Sequence, residues 1–171
     1  PNRNRLLHID PTVDGLKTGH TEAAGYCLVS SAKRGPRRLL SVVLGAASDS
    51  KRMQESLKLL NYGFQFYDAV QLYARNEAVA TLKVWKGEQP SVRVGFTTDL
   101  VLTVPKGFGP RIRSELVSPQ RLVAPIAAGQ VLGTLKVSLD DKPYGEYPVL
   151  ALAAVPAAGI IGRMIDTIRL W

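Results

Sequence analysis

Met53, Leu57, Leu60 and Phe64 recur at helical spacing inside a stretch whose other apolar runs are short and strand-like. That single change of period is the strongest constraint on the fold. Ahead of it, Val13–Lys17 reads as a strand, and Gly25–Ala32 ("GYCLVSSA") as a second. The turn "KRGPRR" then leads to a third strand at Leu39–Gly45 ("LLSVVLG"), a Val/Leu run with turn residues on both sides. Ser48 or Asp49 stands ready to cap the helix that follows. Three meandering strands and one helix make the C-terminal half of an α+β sheet domain, because one helix covers only one face of a sheet.

The next zone, Tyr73 to Val155, has a different grammar. Short runs such as "TLKVW", "SVRVGF", "LVLTVP", "QVLGTLKVSL" and "YPVLALAAV" are separated by "KGEQP", "KGFGP" and "DDKP". Evenly spaced short strands with turn signals predict a small all-β sandwich or barrel. Its acids and bases stand singly, as on solvated strand faces, and form no catalytic constellation. The expected division is 1–70 for the sheet-and-helix part, 71–157 for the β domain and 158–171 for a tail.

In that tail, Ile160, Ile161, Met164, Ile165, Ile168 and Trp171 make one apolar stripe of a helix, with Arg163, Asp166, Thr167 and Arg169 opposite. About a dozen residues is too short to span a bilayer. Two readings stay open: a helix docked on its own β domain, and an interfacial helix lying in a membrane surface with Trp171 at headgroup level.

With 171 residues, 46% hydrophobic and 21% charged, the chain is long enough to bury a core and is not a disordered polymer. Its net charge of +8 is spread over scattered pairs (Lys33-Arg34, Arg37-Arg38, Lys51-Arg52) without a nucleic-acid-binding signature, so no nucleic-acid partner is expected. An anionic surface such as lipid headgroups suits the same charge. The one cysteine, Cys27, excludes an internal disulfide, and His8 and His20 lack ligand spacing, so neither metal nor cofactor is expected. The start at Pro1, without methionine or signal peptide, reads as a processed or excerpted piece.

The chemistry concentrates in "VDGLKTGHTEAAGYC", Val13 to Cys27. Lys17 offers an ammonium, Thr18 a hydroxyl, and Gly19 a backbone that a ligand can approach closely. Backbone N–H groups at the end of an exposed strand can receive an oxyanion. The plain alternative is an edge strand with a solvated lysine.

Taken together, "PNRNRLL", "VDGLKTGHTEAAGYCLVSSA", "LLSVVLGA…R…ESLKLLNYGF", "LTVPKG", "APIAAGQVLGTLKVSLDDKP" and "PVLALAAVP" resemble the D-alanyl-D-alanine carboxypeptidases, the low-molecular-mass penicillin-binding proteins. The likeness covers essentially the whole chain. It implies a transpeptidase-like serine acyltransferase fold using S-x-x-K, S-x-N and K-T-G motifs. By that likeness Lys17 supports proton transfer and holds negative charge, Thr18 and Arg52 bind the substrate's terminal carboxylate beside Gly19, and the His20 N–H forms half of an oxyanion hole. The implied enzyme trims the terminal D-alanine from peptidoglycan pentapeptide stems and is acylated by β-lactams. It would sit in the periplasm on the outer face of the bacterial inner membrane, with the β domain as spacer and the tail as membrane dock.

The sequence departs from the pattern in one respect: S-x-N is absent. Two S-x-x-K strings occur, Ser30–Lys33 and Ser48–Lys51, but both follow K-T-G where the family's nucleophile precedes it. Ser30 and Lys33 fall in a strand, on opposite faces, and Ser48 reads as a helix cap. The nucleophile and S-x-N are therefore expected on an N-terminal portion of the same enzyme, leaving this chain inactive alone. The rival readings are a non-catalytic β-domain scaffold with a membrane helix, and a β-lactamase, which would lack the trailing β zone.

Overall fold

The computed structural model describes residues 2–159, so the tail stripe from Ile160 to Trp171 lies outside the described residues. The chain forms two compact units, Pro1–Ala69 with Thr103–Gly107, and Val70–Leu102 with the segment from Phe108 onward.

The first unit opens with one helical turn, α1 (Leu6–Ile9), followed by β1 (Val13–Thr21), β2 (Gly25–Arg34) and β3 (Arg37–Ala46). These strands form an antiparallel meander in the order β1-β2-β3. The two-residue loop between β2 and β3 places Gly35 at φ +59°, a left-handed value that glycine adopts without a Cβ clash. β1 runs past Lys17 to Thr21, pairing Gly19 with Cys27, His20 with Tyr26 and Thr21 with Gly25.

Helix α2 spans Asp49–Phe66, capped by the Ser48 hydroxyl, which accepts the Lys51 N–H at 3.1 Å. At its other end Arg37 donates to the carbonyls of Gly63 (3.4 Å), Phe64 (3.0 Å) and Tyr67. A cation there satisfies the Phe64 carbonyl, adds to a Gly63 carbonyl that already accepts the Tyr67 N–H, and suits the negative end of the helix dipole.

The helix buries the face predicted for it. Leu6, Val13, Leu28, Ala32 and Leu60 form a buried cluster, with Leu39, Met53, Leu57 and Phe64 packed around it. Helix and sheet meet so closely that a Cβ on Gly63 would come within 2.6 Å of a Leu39 methyl. Ser30, Ser41 and Ser56 are also buried, their hydroxyls without partners among the described residues. Arg34 ties the layers together: it pairs with Asp10 at 2.9 Å, donates to Asn61 of α2 at 2.8 Å, and lies 4.4 Å from the Phe64 ring centre. The opposite sheet face is bare among the described residues: Leu40, Val42 and Leu44 of β3 are 63, 57 and 72% exposed.

Beyond α2 the described residues form strands, turns and one 3-10 turn at Gly109–Arg111. The strands are β4 (Tyr67–Tyr73), β5 (Ala78–Trp85), β6 (Ser91–Gly95), β7 (Leu100–Pro105), β8 (Ile112–Val117), β9 (Leu122–Val123), β10 (Val131–Leu139) and β11 (Lys142–Ala151). β4 and β7 pair with each other, and the remaining six form one sheet in the order β8-β10-β11-β6-β5-β9. Within the six-stranded sheet the pairings are antiparallel except β5 with β9. Val84, Val92, Val94, Leu122, Leu135, Val137, Val149 and Val155 are buried as the core of this second unit. The predicted strands are present, although β4, β8 and β9 were not foreseen and β11 starts well before "YPVL" and ends at Ala151, short of the expected Val155.

Candidate active site

Lys17, Thr18, Gly19, His20 and Arg52 line a single cleft of about 1120 Å³ in the first unit. β1 supplies the first four. It is an edge strand of its sheet, so alternate backbone N–H groups point away from β2. Arg52 Nη1 donates to both Gly19 O (3.0 Å) and Cys27 O (3.2 Å). One nitrogen reaches both carbonyls only if they lie between the strands. Gly19 and Cys27 are then a hydrogen-bonded pair, and the next N–H, that of His20, faces outward.

Lys17 is exposed, and its ammonium curls back to donate to Thr18 O at 2.6 Å. Gly19 is not a packing requirement: a Cβ there would meet only Cys27 Cβ, at an ordinary 3.7 Å. The glycine keeps open a surface that the described fold does not use.

The sequence reading missed the residues that surround these five. The His20 ring lies on the Tyr26 ring, centroids 3.9 Å apart, and the Arg52 guanidinium stands 5.5 Å from the Tyr26 centroid. Asn2, Arg3, Arg5 and His8 reach the cleft from the N-terminal segment. Buried Asn4 fastens that segment to β1, donating to Gly15 O at 3.3 Å. Asp49 completes the lining, with one oxygen on Arg52 Nη2 and the other 3.1 Å from Arg5 Nε. Counting along the hairpin from K-T-G-H would have put Tyr26 opposite His20; no local signal marks Asp49 or Arg5. Among the described residues four permanent cations face one carboxylate, so the cleft favours an anion.

Neither internal serine-lysine pair lines the cleft. Ser30 is fully buried against the helix side of β2, while Lys33 is exposed. Ser48 spends its hydroxyl on the Lys51 backbone. A second concavity, about 670 Å³, lies in the β unit. Its charges are arranged in loose exposed pairs, Lys136 with Glu146 at 4.0 Å and Arg113 with Asp141 at 3.8 Å, and it contains neither a His nor a Cys. No helix among the described residues is long and apolar enough to cross a membrane, and no group of His, Cys, Asp or Glu among them could hold a metal.

Sequence and structure comparisons identify the relatives of the chain as a whole. Residues 1–48 match the D-alanyl-D-alanine carboxypeptidase family, and residues 67–157 match the family of the penicillin-binding protein 5 C-terminal domain. D-alanyl-D-alanine carboxypeptidase DacC of Escherichia coli is 40% identical over 99% of the chain, and DacF of Bacillus subtilis 37% over 99%. The alignments cover 43% and 44% of those relatives, so the chain spans less than half of their length. The crystal structure of penicillin-binding protein 5 from Haemophilus influenzae superposes with a TM-score of 0.84 at 36% identity, covering 91% of this chain and 46% of that one. The chain belongs to the D-alanyl-D-alanine carboxypeptidase family of the penicillin-binding protein 5 type.

Proposed function

We propose that this chain is the C-terminal portion of a serine-type D-Ala-D-Ala carboxypeptidase acting on peptidoglycan pentapeptide stems. The observation that supports this most is the convergence of Lys17, Thr18, His20 and Arg52 on one cationic cleft beside an edge strand. In this reading a serine Oγ from the preceding sequence attacks the carbonyl of the penultimate D-alanine. The outward His20 N–H holds the developing oxyanion as one of its donors. Thr18 and Arg52 bind the terminal carboxylate, and Lys17 stabilises negative charge and lowers the cost of moving the serine proton. That proton leaves on the amine of the released D-alanine. Water then cleaves the acyl-serine ester and regenerates the hydroxyl. A β-lactam enters the same sequence but loses no amine fragment, so its acyl-enzyme persists.

The exposed apolar face of β3 supports a further part of the enzyme covering it, since Leu40, Val42 and Leu44 stand in open solvent without one. The β unit serves as a spacer, and the stripe Ile160–Trp171 docks the enzyme on the outer face of the bacterial inner membrane from the periplasm. A non-catalytic scaffold has no use for a glycine-fronted cationic cleft. The test is release of D-alanine from an acyl-D-Ala-D-Ala peptide. This chain alone should release none, and the complete protein should; activity of the isolated chain would overturn the assignment.

A further inference from the structure

Arg52 is held in an uncommon way for a residue in the first turn of a helix. An Asp–Arg pair three positions apart is ordinarily a weak, solvated contact. Arg52, however, is only 4% exposed, and its Nη1 is already committed to the Gly19 and Cys27 carbonyls. Carbonyls satisfy N–H groups but supply no full counter-charge, and a desolvated guanidinium without one is unfavourable. Asp49 supplies it, and no other carboxylate among the described residues lines the cleft. Of the five donors a guanidinium carries, these contacts leave Nε and one Nη2 hydrogen without a partner among the described residues.

The second oxygen of Asp49 explains how a carboxylate is tolerated where an anion must bind. It pairs with Arg5 Nε at 3.1 Å, so the triad contains two cations and one anion. Asp49 itself sits at the start of α2, next to the capping Ser48, where the backbone is fixed.

We propose that Asp49 is a positioning residue: it holds the Arg52 guanidinium against the end of β1, so that the donors left over meet the terminal carboxylate of the substrate. Arg5 neutralises Asp49 and keeps the cleft attractive to that anion. The inference rests on the carboxypeptidase reading, and it adds residues that the K-T-G motif does not contain.

The test compares, in the complete enzyme, an acyl-D-Ala-D-Ala peptide with its C-terminal amide. Asp49→Asn should raise KM for the acid about tenfold, as expected when one charge-assisted contact is loosened. It should change kcat by less than about threefold and leave the amide nearly unaffected. Asp49→Glu should recover most of the loss. Equal loss on acid and amide, or an unchanged KM for the acid, would overturn the proposal. A separate readout needs no turnover: the Arg52 Nε–H resonance should be sharp in the wild type and broadened in Asp49→Asn. If the wild type turns over neither peptide, the functional reading falls, and this resonance still decides whether Asp49 fixes Arg52.

Discussion

The two units use antiparallel strands of similar length toward opposite ends. In the β unit, inward residues such as Val92 and Val94 alternate with outward Ser91 and Arg93, and most of the buried apolar side chains among the described residues gather there. In the first unit one face of the sheet is sealed by α2 while Leu40, Val42 and Leu44 stand exposed on the other. Its polar groups also behave differently. The concavity of the β unit carries loose exposed ion pairs, whereas the cleft of the first unit stations three further cations around the buried Arg52 guanidinium. Incomplete burial and unbalanced charge occur in the same unit. A unit that has finished its own core carries structure; one left open on a side has room for a reaction.

The largest effects should come from the cores, and they separate the units. Leu60→Ala and Leu135→Ala each remove a side chain that is 1% exposed. Either should cost about 2–5 kcal/mol, read by chemical denaturation of the complete protein. If the units are independent, each substitution shifts its own transition; a shared shift of both would show a single cooperative body.

Next in size is the chemistry. Lys17→Ala in the complete enzyme should lower the rate of acylation by a fluorescent penicillin about 100- to 1000-fold, the usual loss when a charge-stabilising group leaves such a site. Its exposure means the melting temperature should barely move. A tenfold or smaller loss would make Lys17 a solvated edge-strand lysine after all.

Acid should sharpen the contrast further. Hydrogen bonds from the Thr12 side chain, opposed by partial burial and aided by Arg34, hold Asp10 below its usual carboxylate range. Hydrogen bonds donated to Asp14 by Arg38, first, and by Ser31 bring its carboxyl down to about 2. Depressed carboxylates stabilise the fold above the unfolded value near 3.8, and that contribution is lost as pH falls through the folded value. Both lie in the first unit, so its transition should weaken between about pH 4 and pH 2, and Asp10→Asn should flatten that dependence. Smallest of all is Ser48→Ala, which deletes the α2 cap and should cost about 1 kcal/mol.

How far these features could be read in advance follows from the local physics of each segment. The spacing of Met53, Leu57, Leu60 and Phe64 was legible because one face of α2 is buried. The continuation of β1 through Gly19, His20 and Thr21 was not, since an edge strand open on its outer side shows no alternation. The start of β4 was hidden because α2 passes straight into it, with Arg37 rather than a glycine or proline closing the helix. β8 was obscured by charges that only an exposed strand can carry, as in "IRSELV". In the site, the K-T-G strand declared itself, but Tyr26, Arg5 and Asp49 arrive by register and by the docking of α1 and α2, which no local pattern encodes.

The most direct test is to acylate the complete protein with a β-lactam and locate the modified serine by peptide mapping. The adduct should fall on a serine outside these 171 residues, and a crystal of that adduct should show Lys17, Thr18 and the His20 N–H around it. An adduct on Ser30, Ser48 or any other serine of this chain, or no adduct at all, would contradict the claim that its cleft is one wall of a shared active site.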